Sequence, residues 1–136
     1  MTLHAAMSRA RPRTLHEPMA RSPHPALVRA KARLDRLEFY PRAVRLRGVR
    51  LVVAPWLFRL PWLRRFDGYA THLVIFLREP AHLDDDDLVT HELCHVWQMQ
   101  HHPLGMPLSY LRGYASNSYE LEARRAVEQS AGAGRS

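Results

Sequence analysis

Apolar residues recur along this chain in blocks, and their spacing changes from one block to the next. The first block has apolar side chains at three- and four-residue spacing: Leu27, Ala30, Leu34 and Leu37. This spacing predicts an amphipathic helix that begins after Pro25 and ends before Pro41. Its apolar stripe requires a core to cover.

Two later blocks have the composition of β-strands. Residues 44–53 alternate aliphatic side chains with Arg around Gly48, which predicts one bent strand or a hairpin. Residues 69–77 are rich in β-forming side chains and lie between Gly68 and Pro80, which predicts a single continuous strand.

The segment between these blocks, residues 56–63, is strongly apolar but is interrupted by Pro61. This pattern favours a buried connection over a regular element. The alternative is an interfacial patch, because Arg59, Arg64 and Arg65 adjoin the apolar side chains.

Two further helices are predicted in the second half of the chain. Asp84 to Asp87 precede an apolar-periodic segment, as expected of an N-cap and first turn, and the helix should run from about residue 88 to 100. A calcium loop is the less favoured interpretation, since the glycine and ligand spacing of an EF-hand are missing. After a loop, strong helix formers predict a last helix over about 119–129.

These elements predict an α+β fold with a small sheet of two to four strands packed on the helix of residues 88–100. The domain should span residues 26–130. Residues 1–25, which are rich in Arg and Pro, and residues 131–136 are predicted to be disordered tails.

Charge is unevenly distributed. Residues 1–65 carry 15 Lys or Arg and 3 Asp or Glu, whereas residues 66–136 carry 5 and 10, for a net charge of +7. The basic half suits nucleic acid or anionic lipid, but it contains no nucleic-acid-binding motif, so no specific nucleic-acid partner is expected. Cys94 is the only cysteine, and we recognise neither a secretory signal nor a membrane span, which favours a reducing, cytoplasmic location.

The sequence His91-Glu92-Leu93-Cys94-His95 is an H-E-x-x-H motif on the predicted helix of residues 88–100. Residues four apart lie on one helix face, so both imidazoles can bind one metal ion. Zn2+ suits such donors, and Glu92 flanks the site where it can take a proton from a zinc-bound water. Cys94 points off this face and is predicted to be core.

The third ligand is open to several interpretations. Glu120, which begins the last helix, leaves enough chain after His95 to fold back, and Glu122 is the reserve. His101 matches the third histidine of the metzincin pattern, but Gln98 stands where that pattern requires glycine. Tyr110, Tyr114 and Tyr119 are candidate oxyanion donors, and we favour Tyr114.

HELCHVWQ, followed by NSYELEARRA, resembles short bacterial zincin-like domains with HELxHVxQ, a tyrosine-containing linker and a closing N-x-Y-E-x-E-A-R segment. The resemblance covers about residues 66–128. It implies a gluzincin-type site in which His91, His95 and Glu120 bind zinc and Glu92 is the base. Arg124 stands where related membrane-linked gluzincins have Asp, which removes an acceptor for a ligand histidine.

The sequence therefore predicts a zinc-dependent peptidase with one Zn2+ ion and a peptide or protein substrate. So small a domain suggests an exposed cleft, or a protein partner that completes it. The alternatives are a non-catalytic domain stabilised by zinc and a basic module that binds nucleic acid or a membrane surface.

Overall fold

The computed structural model describes residues 22–114 and 117–133. Its helices are α1 (Pro25–Leu34), α2 (Asp86–His101), α3 (Gly105–Ser109) and α4 (Ser118–Ala133), and its strands are β1 (Arg50–Val53), β2 (Gly68–Ala70) and β3 (Val74–Leu77). Short 3-10 turns cover Pro55–Arg59, Pro80–Asp84 and Tyr110–Arg112. The predicted α+β class, with two to four strands, is confirmed for the described residues.

The sheet has the order β1-β3-β2. β3 is parallel to β1 and antiparallel to β2, so β2 forms one edge. Ile75 and Leu77 of β3 are completely buried. They face a core shared with Leu27 of α1, Leu93 of α2 and Ala126 of α4.

The prediction of one strand over residues 69–77 was wrong, because the chain turns at Thr71–Leu73. The Thr71 hydroxyl accepts a hydrogen bond from the Val74 amide at 2.9 Å, and the Thr71 amide donates to the Val74 carbonyl at 2.8 Å. Such local bonds from a threonine compete with continued extension and stabilise a turn. The result is the β2-β3 hairpin.

The first two predicted elements are shorter than expected. α1 ends at Leu34. In the turn that follows, the Leu37 amide donates a hydrogen bond to the Leu34 carbonyl at 2.9 Å. In the 44–53 block only β1 is extended. Gly48 has a φ of 79°, a left-handed conformation that favours glycine, and the turn there replaces the predicted bent strand or hairpin.

α2 is the central helix, and its predicted cap is confirmed. The Asp85 carboxylate accepts from the Leu88 amide at 3.0 Å, and Asp86 and Asp87 occupy the first turn. Cys94 is buried, as predicted. Among the described residues, no helix has both the length and the apolar composition that crossing a bilayer requires.

The segment between β1 and β2, the loop after α2 and the end of α4 each differ from the prediction. The apolar segment 56–63 is only partly core, since Phe58 and Leu63 are buried whereas Trp56 and Trp62 are 65% and 67% exposed. The predicted loop after α2 contains α3 and a 3-10 turn. α4 extends to Ala133, beyond its predicted end at 129, and residues 1–21 and 134–136 lie outside the described residues.

Candidate metal centre

The two histidines of the motif lie side by side on α2. His91 and His95 are four residues apart, and their Nε2 atoms are 3.2 Å from each other. His95 is buried, whereas the His91 side chain keeps 17% of its surface exposed. Each histidine therefore directs its Nε2 atom to a common point. This point is open to solvent on the His91 side.

Glu120 reaches the same point from α4. Asn117 caps this helix, because its side-chain oxygen accepts from the amides of Tyr119 and Glu120 at 2.8 and 3.2 Å. Packing of α4 against α2 then places one Glu120 oxygen 2.9 Å from His91 Nε2 and the other 2.9 Å from His95 Nε2. The Glu120 side chain is 1% exposed.

The donor set fits a divalent metal. Ligand atoms from His91, His95 and Glu120 all lie within 4.8 Å of one another. In a tetrahedral zinc site with bonds near 2.0–2.1 Å, neighbouring donors are about 3.3 Å apart, and the two Nε2 atoms are already at 3.2 Å. Two imidazole nitrogens and a carboxylate are a usual zinc donor set, and a tetrahedral ion would keep one position open.

Gln98 orients His95 from behind. Its side-chain NH2 donates to the Tyr119 carbonyl at 2.8 Å and to the Glu122 carboxylate at 3.1 Å. Its oxygen therefore faces His95 Nδ1, at 2.8 Å, and accepts that proton. A neutral His95 with a proton on Nδ1 presents the lone pair of Nε2 to the centre, as a metal ligand requires.

This arrangement calls for a positive charge between the three side chains. With the proton of His95 on Nδ1, its bare Nε2 and the Glu120 oxygen would repel each other at 2.9 Å. Burial alone would raise the pKa of Glu120, but the hydrogen bonds and charges of His91 and His95 outweigh it and hold that pKa well below its ordinary value. Burial alone would lower the pKa of His95. The hydrogen bond to Glu120 and the charges of Glu92 and Glu120 outweigh burial and raise that pKa. A metal ion can supply that charge.

Glu92 lies next to the triad and is almost fully buried, with 6% exposed. Burial raises the pKa of Glu92 above its ordinary value, and the charges of His95 and His91 offset part of that rise. A carboxylate with a raised pKa is a better proton acceptor at neutral pH than an exposed one.

Two tyrosine hydroxyls face Glu120. Tyr114 donates to one carboxylate oxygen at 2.8 Å, and Tyr110 donates to the other at 3.3 Å. Arg124, at the position where the sequence resemblance leads us to expect an Asp acceptor, places its Nε 3.6 Å from Glu120. The acceptor for His95 is instead Gln98, so the Arg124 position does not deprive that histidine of support.

The other candidates lie away from the triad. His101 is directed to the Trp97 carbonyl at 3.1 Å and stacks on Tyr40. Glu122 accepts from Gln98 and from the Tyr40 hydroxyl. Tyr119, the third tyrosine considered, packs against His102 at a ring distance of 5.9 Å. The structure thus brings Glu120, and neither Glu122 nor His101, to the two histidines of the motif.

Three residues of this centre were not assigned from the sequence: Gln98, Asn117 and Gly68. Gln98 closes the HELxHVxQ pattern one helical turn after His95, and that spacing is a signal that could have identified it. Asn117 precedes the last helix and has the composition of an N-cap. The contact of Gly68 with Glu92 could not be predicted from the sequence, in which Gly68 marks only the end of a strand.

Comparison of the chain with protein-family profiles, with curated proteins and with solved structures gave no significant match.

Proposed function

We propose that this protein is a zinc-dependent hydrolase of the zincin type that cleaves peptide bonds. One observation carries the proposal: His91, His95 and Glu120, from two separate helices, bring their ligand atoms within 4.8 Å of one another. The buried carboxylate of Glu92 lies close enough for its pKa to respond to all three residues. This is the combination of donors and base that metal-assisted hydrolysis needs.

The roles of the chain's own residues follow from this geometry. Zinc, when bound, would lower the pKa of a coordinated water toward about 7 and polarise a substrate carbonyl. Glu92 accepts the proton of the attacking water and returns it to the leaving nitrogen. Tyr114 donates to the developing oxyanion from the side of Glu120, where its hydroxyl already lies 2.8 Å from the carboxylate.

Three protein ligands favour catalysis over a purely structural role for the metal. Structural zinc sites are closed by four protein ligands, whereas catalytic sites keep a position for water or substrate. Among residues 22–114 and 117–133, the cluster that could hold a metal has three members, and His91 is partly open to solvent. These features favour an enzyme over the zinc-stabilised domain that is its main rival.

The edge of β2 that lacks a strand partner among the described residues supports a peptide as the substrate. The Asp67 carbonyl accepts from the Arg78 amide, and the Thr71 amide donates to the Val74 carbonyl. The backbone groups of the odd-numbered residues along β2 therefore point toward β3. The backbone groups of Gly68 and Ala70 then point to the other side of β2, which pairs with no further strand among the described residues. An extended peptide can add to such an edge through main-chain hydrogen bonds.

Metal analysis combined with hydrolysis of fluorescently labelled casein tests the proposal. The full chain should bind one zinc ion and hydrolyse casein, and His95→Ala and Glu120→Ala should lose both properties. Glu92→Gln should keep the zinc but lose turnover by at least about 100-fold, because only the base is removed. Glu128→Gln, an exposed position on α4, is the matched control.

Each negative result has a distinct meaning. A chain that binds no zinc would refute the metal site. A wild-type chain that binds zinc through His95 and Glu120 but hydrolyses no casein would instead favour the non-catalytic, zinc-stabilised domain.

A further inference from the structure

The segment between β1 and β2 exposes the largest apolar side chains of the described residues next to arginines. Trp56 and Trp62 are 65% and 67% exposed. Arg59, Arg64 and Arg65 are also exposed. We refer to these five residues as the Trp-Arg surface.

We propose that the Trp-Arg surface docks the protein onto anionic lipid bilayers. Tryptophan concentrates at the boundary between lipid headgroups and acyl chains, since its ring is apolar and its indole N–H is polar. Arginines beside it are attracted to anionic headgroups. This proposal goes beyond the hydrolase function and does not depend on it.

The exposure of the tryptophans is built into the fold. Phe58 and Leu63 of the same segment are 2% and 3% exposed and anchor it to the body of the protein. Arg78 fixes the following turn, since its guanidinium donates to the Phe66 carbonyl at 2.6 Å and also to the Arg64 carbonyl. With Phe58 and Leu63 directed inward, Trp56 and Trp62 are held outward on an ordered support.

The composition of the segment favours lipid over nucleic acid. Residues 54–66 contain no acidic residue and no neutral polar side chain, only apolar residues and Arg. Nucleic acid is read by amide and hydroxyl groups as well as by Arg, whereas a bilayer boundary requires only apolar insertion and positive charge. Leu57 and Leu60, which are partly exposed between the tryptophans, add aliphatic area that suits acyl chains.

The surface adjoins the metal centre. The Phe66 ring packs against the Tyr114 ring at a centroid distance of 4.9 Å, and the Arg65 guanidinium lies 5.4 Å from the centre of the Tyr114 ring. Tyr114 in turn donates to Glu120. A bilayer on the Trp-Arg surface would therefore lie beside the centre.

Vesicle sedimentation and tryptophan fluorescence test the docking. The full chain, with zinc chelated, is mixed with vesicles of phosphatidylcholine and phosphatidylglycerol in equal parts, or of phosphatidylcholine alone. We expect binding to the anionic vesicles and a blue shift of the emission from Trp56 and Trp62. Trp97 is 1% exposed, so its emission should stay constant.

The variants assign the binding to the surface. Trp56→Ser with Trp62→Ser should lower the vesicle partition coefficient by at least about tenfold, whereas Phe at both positions should restore most of it. Arg59→Glu should lower it about tenfold. Arg47→Glu, with the same net charge but at the opposite end of β1, should change it about twofold, because the Debye length is only about 10 Å.

Two exposed leucines elsewhere on the protein provide a control for nonspecific binding of apolar side chains to the vesicles. Leu73 and Leu104 are 54% and 72% exposed, and the His72 contact with the Pro103 carbonyl at 2.9 Å places both near the hairpin tip, away from the surface. Ser at both positions should leave binding unchanged. The proposal is overturned if the chain does not bind anionic vesicles, or if the leucine double variant weakens binding as much as the tryptophan double variant does. Binding of the surface to oligothymidylate instead of vesicles would also overturn it.

Discussion

The side chain of Glu92 occupies the space that a Cβ atom at Gly68 would need. A Cβ atom at residue 68 would be 2.9 Å from Cγ and 3.1 Å from Oε1 of Glu92, closer than such atoms pack. The edge strand β2 and the motif helix α2 therefore approach closely at the proposed base. Glycine at residue 68 makes that approach possible, and the resulting contact confines the carboxylate on one side.

Gly68→Ala should displace the Glu92 carboxylate and lower casein hydrolysis by about 100-fold, since a shift of about 1 Å in a catalytic group has that effect. Zinc content should remain that of the wild type, because the three heavy atoms nearest to the added Cβ all belong to Glu92 and none belongs to a ligand of the proposed site. Gly105→Ala is the matched control, since its Cβ would meet nothing nearer than 3.9 Å. Equal loss in both variants would contradict the role of this contact.

Gln98→Leu should weaken zinc binding by about 10- to 100-fold. The substitution removes the acceptor of the His95 Nδ1 proton and leaves the Tyr119 carbonyl without its donor. Stability should also fall by about 1–3 kcal/mol from the unsatisfied buried groups. Competition with a fluorescent zinc chelator measures the affinity. The exposed Gln129→Leu should change neither quantity, and unaltered affinity in Gln98→Leu would show that the oxygen of Gln98 does not orient His95.

Local sequence signals were sufficient for the elements that carry the site. α2 was predictable because Asp85 caps it and its apolar face is continuous, and residue spacing alone put His91 and His95 together. The choice between Glu120 and Glu122 was not local. Residues two apart on a helix differ by about 200° in direction, so only the packing of α4 on α2 decides which carboxylate reaches the histidines.

The errors have physical causes of the same kind. Residues 69–77 have strong β-propensity, but the Thr71 hydroxyl bonds to the Val74 amide and turns the chain. The apolar residues of segment 56–63 do not recur at a helical or strand spacing. Such a pattern shows that the segment is hydrophobic but does not indicate which side chains face the core. Tertiary anchoring of Phe58 and Leu63 determined that the two tryptophans face solvent.

Tyr114→Phe should keep bound zinc and lower turnover by about 100-fold, the usual effect of removing one oxyanion donor. The reason is that His91, His95 and Glu120 all remain, while the hydroxyl at 2.8 Å from Glu120 is lost. Zinc analysis and casein hydrolysis on the same sample separate the two effects. Loss of zinc in this variant would mean that Tyr114 holds Glu120 in place instead of acting on the substrate.

Zinc should stabilise the folded chain, because the ion replaces the positive charge that His95 Nε2 and the Glu120 carboxylate otherwise require between them at 2.9 Å. At a free zinc concentration 100 times the Kd, the gain is about 2.7 kcal/mol, or a rise in Tm of about 10 °C for a domain of this size. Thermal unfolding followed by circular dichroism, with zinc and then with a chelator, measures it. Glu120→Gln keeps the shape of the ligand but weakens its binding, so the rise should shrink, while the exposed Glu128→Gln should retain it. A full rise in both Glu120→Gln and His95→Ala would place the stabilising zinc elsewhere, with His101 and His102 as the first residues to test.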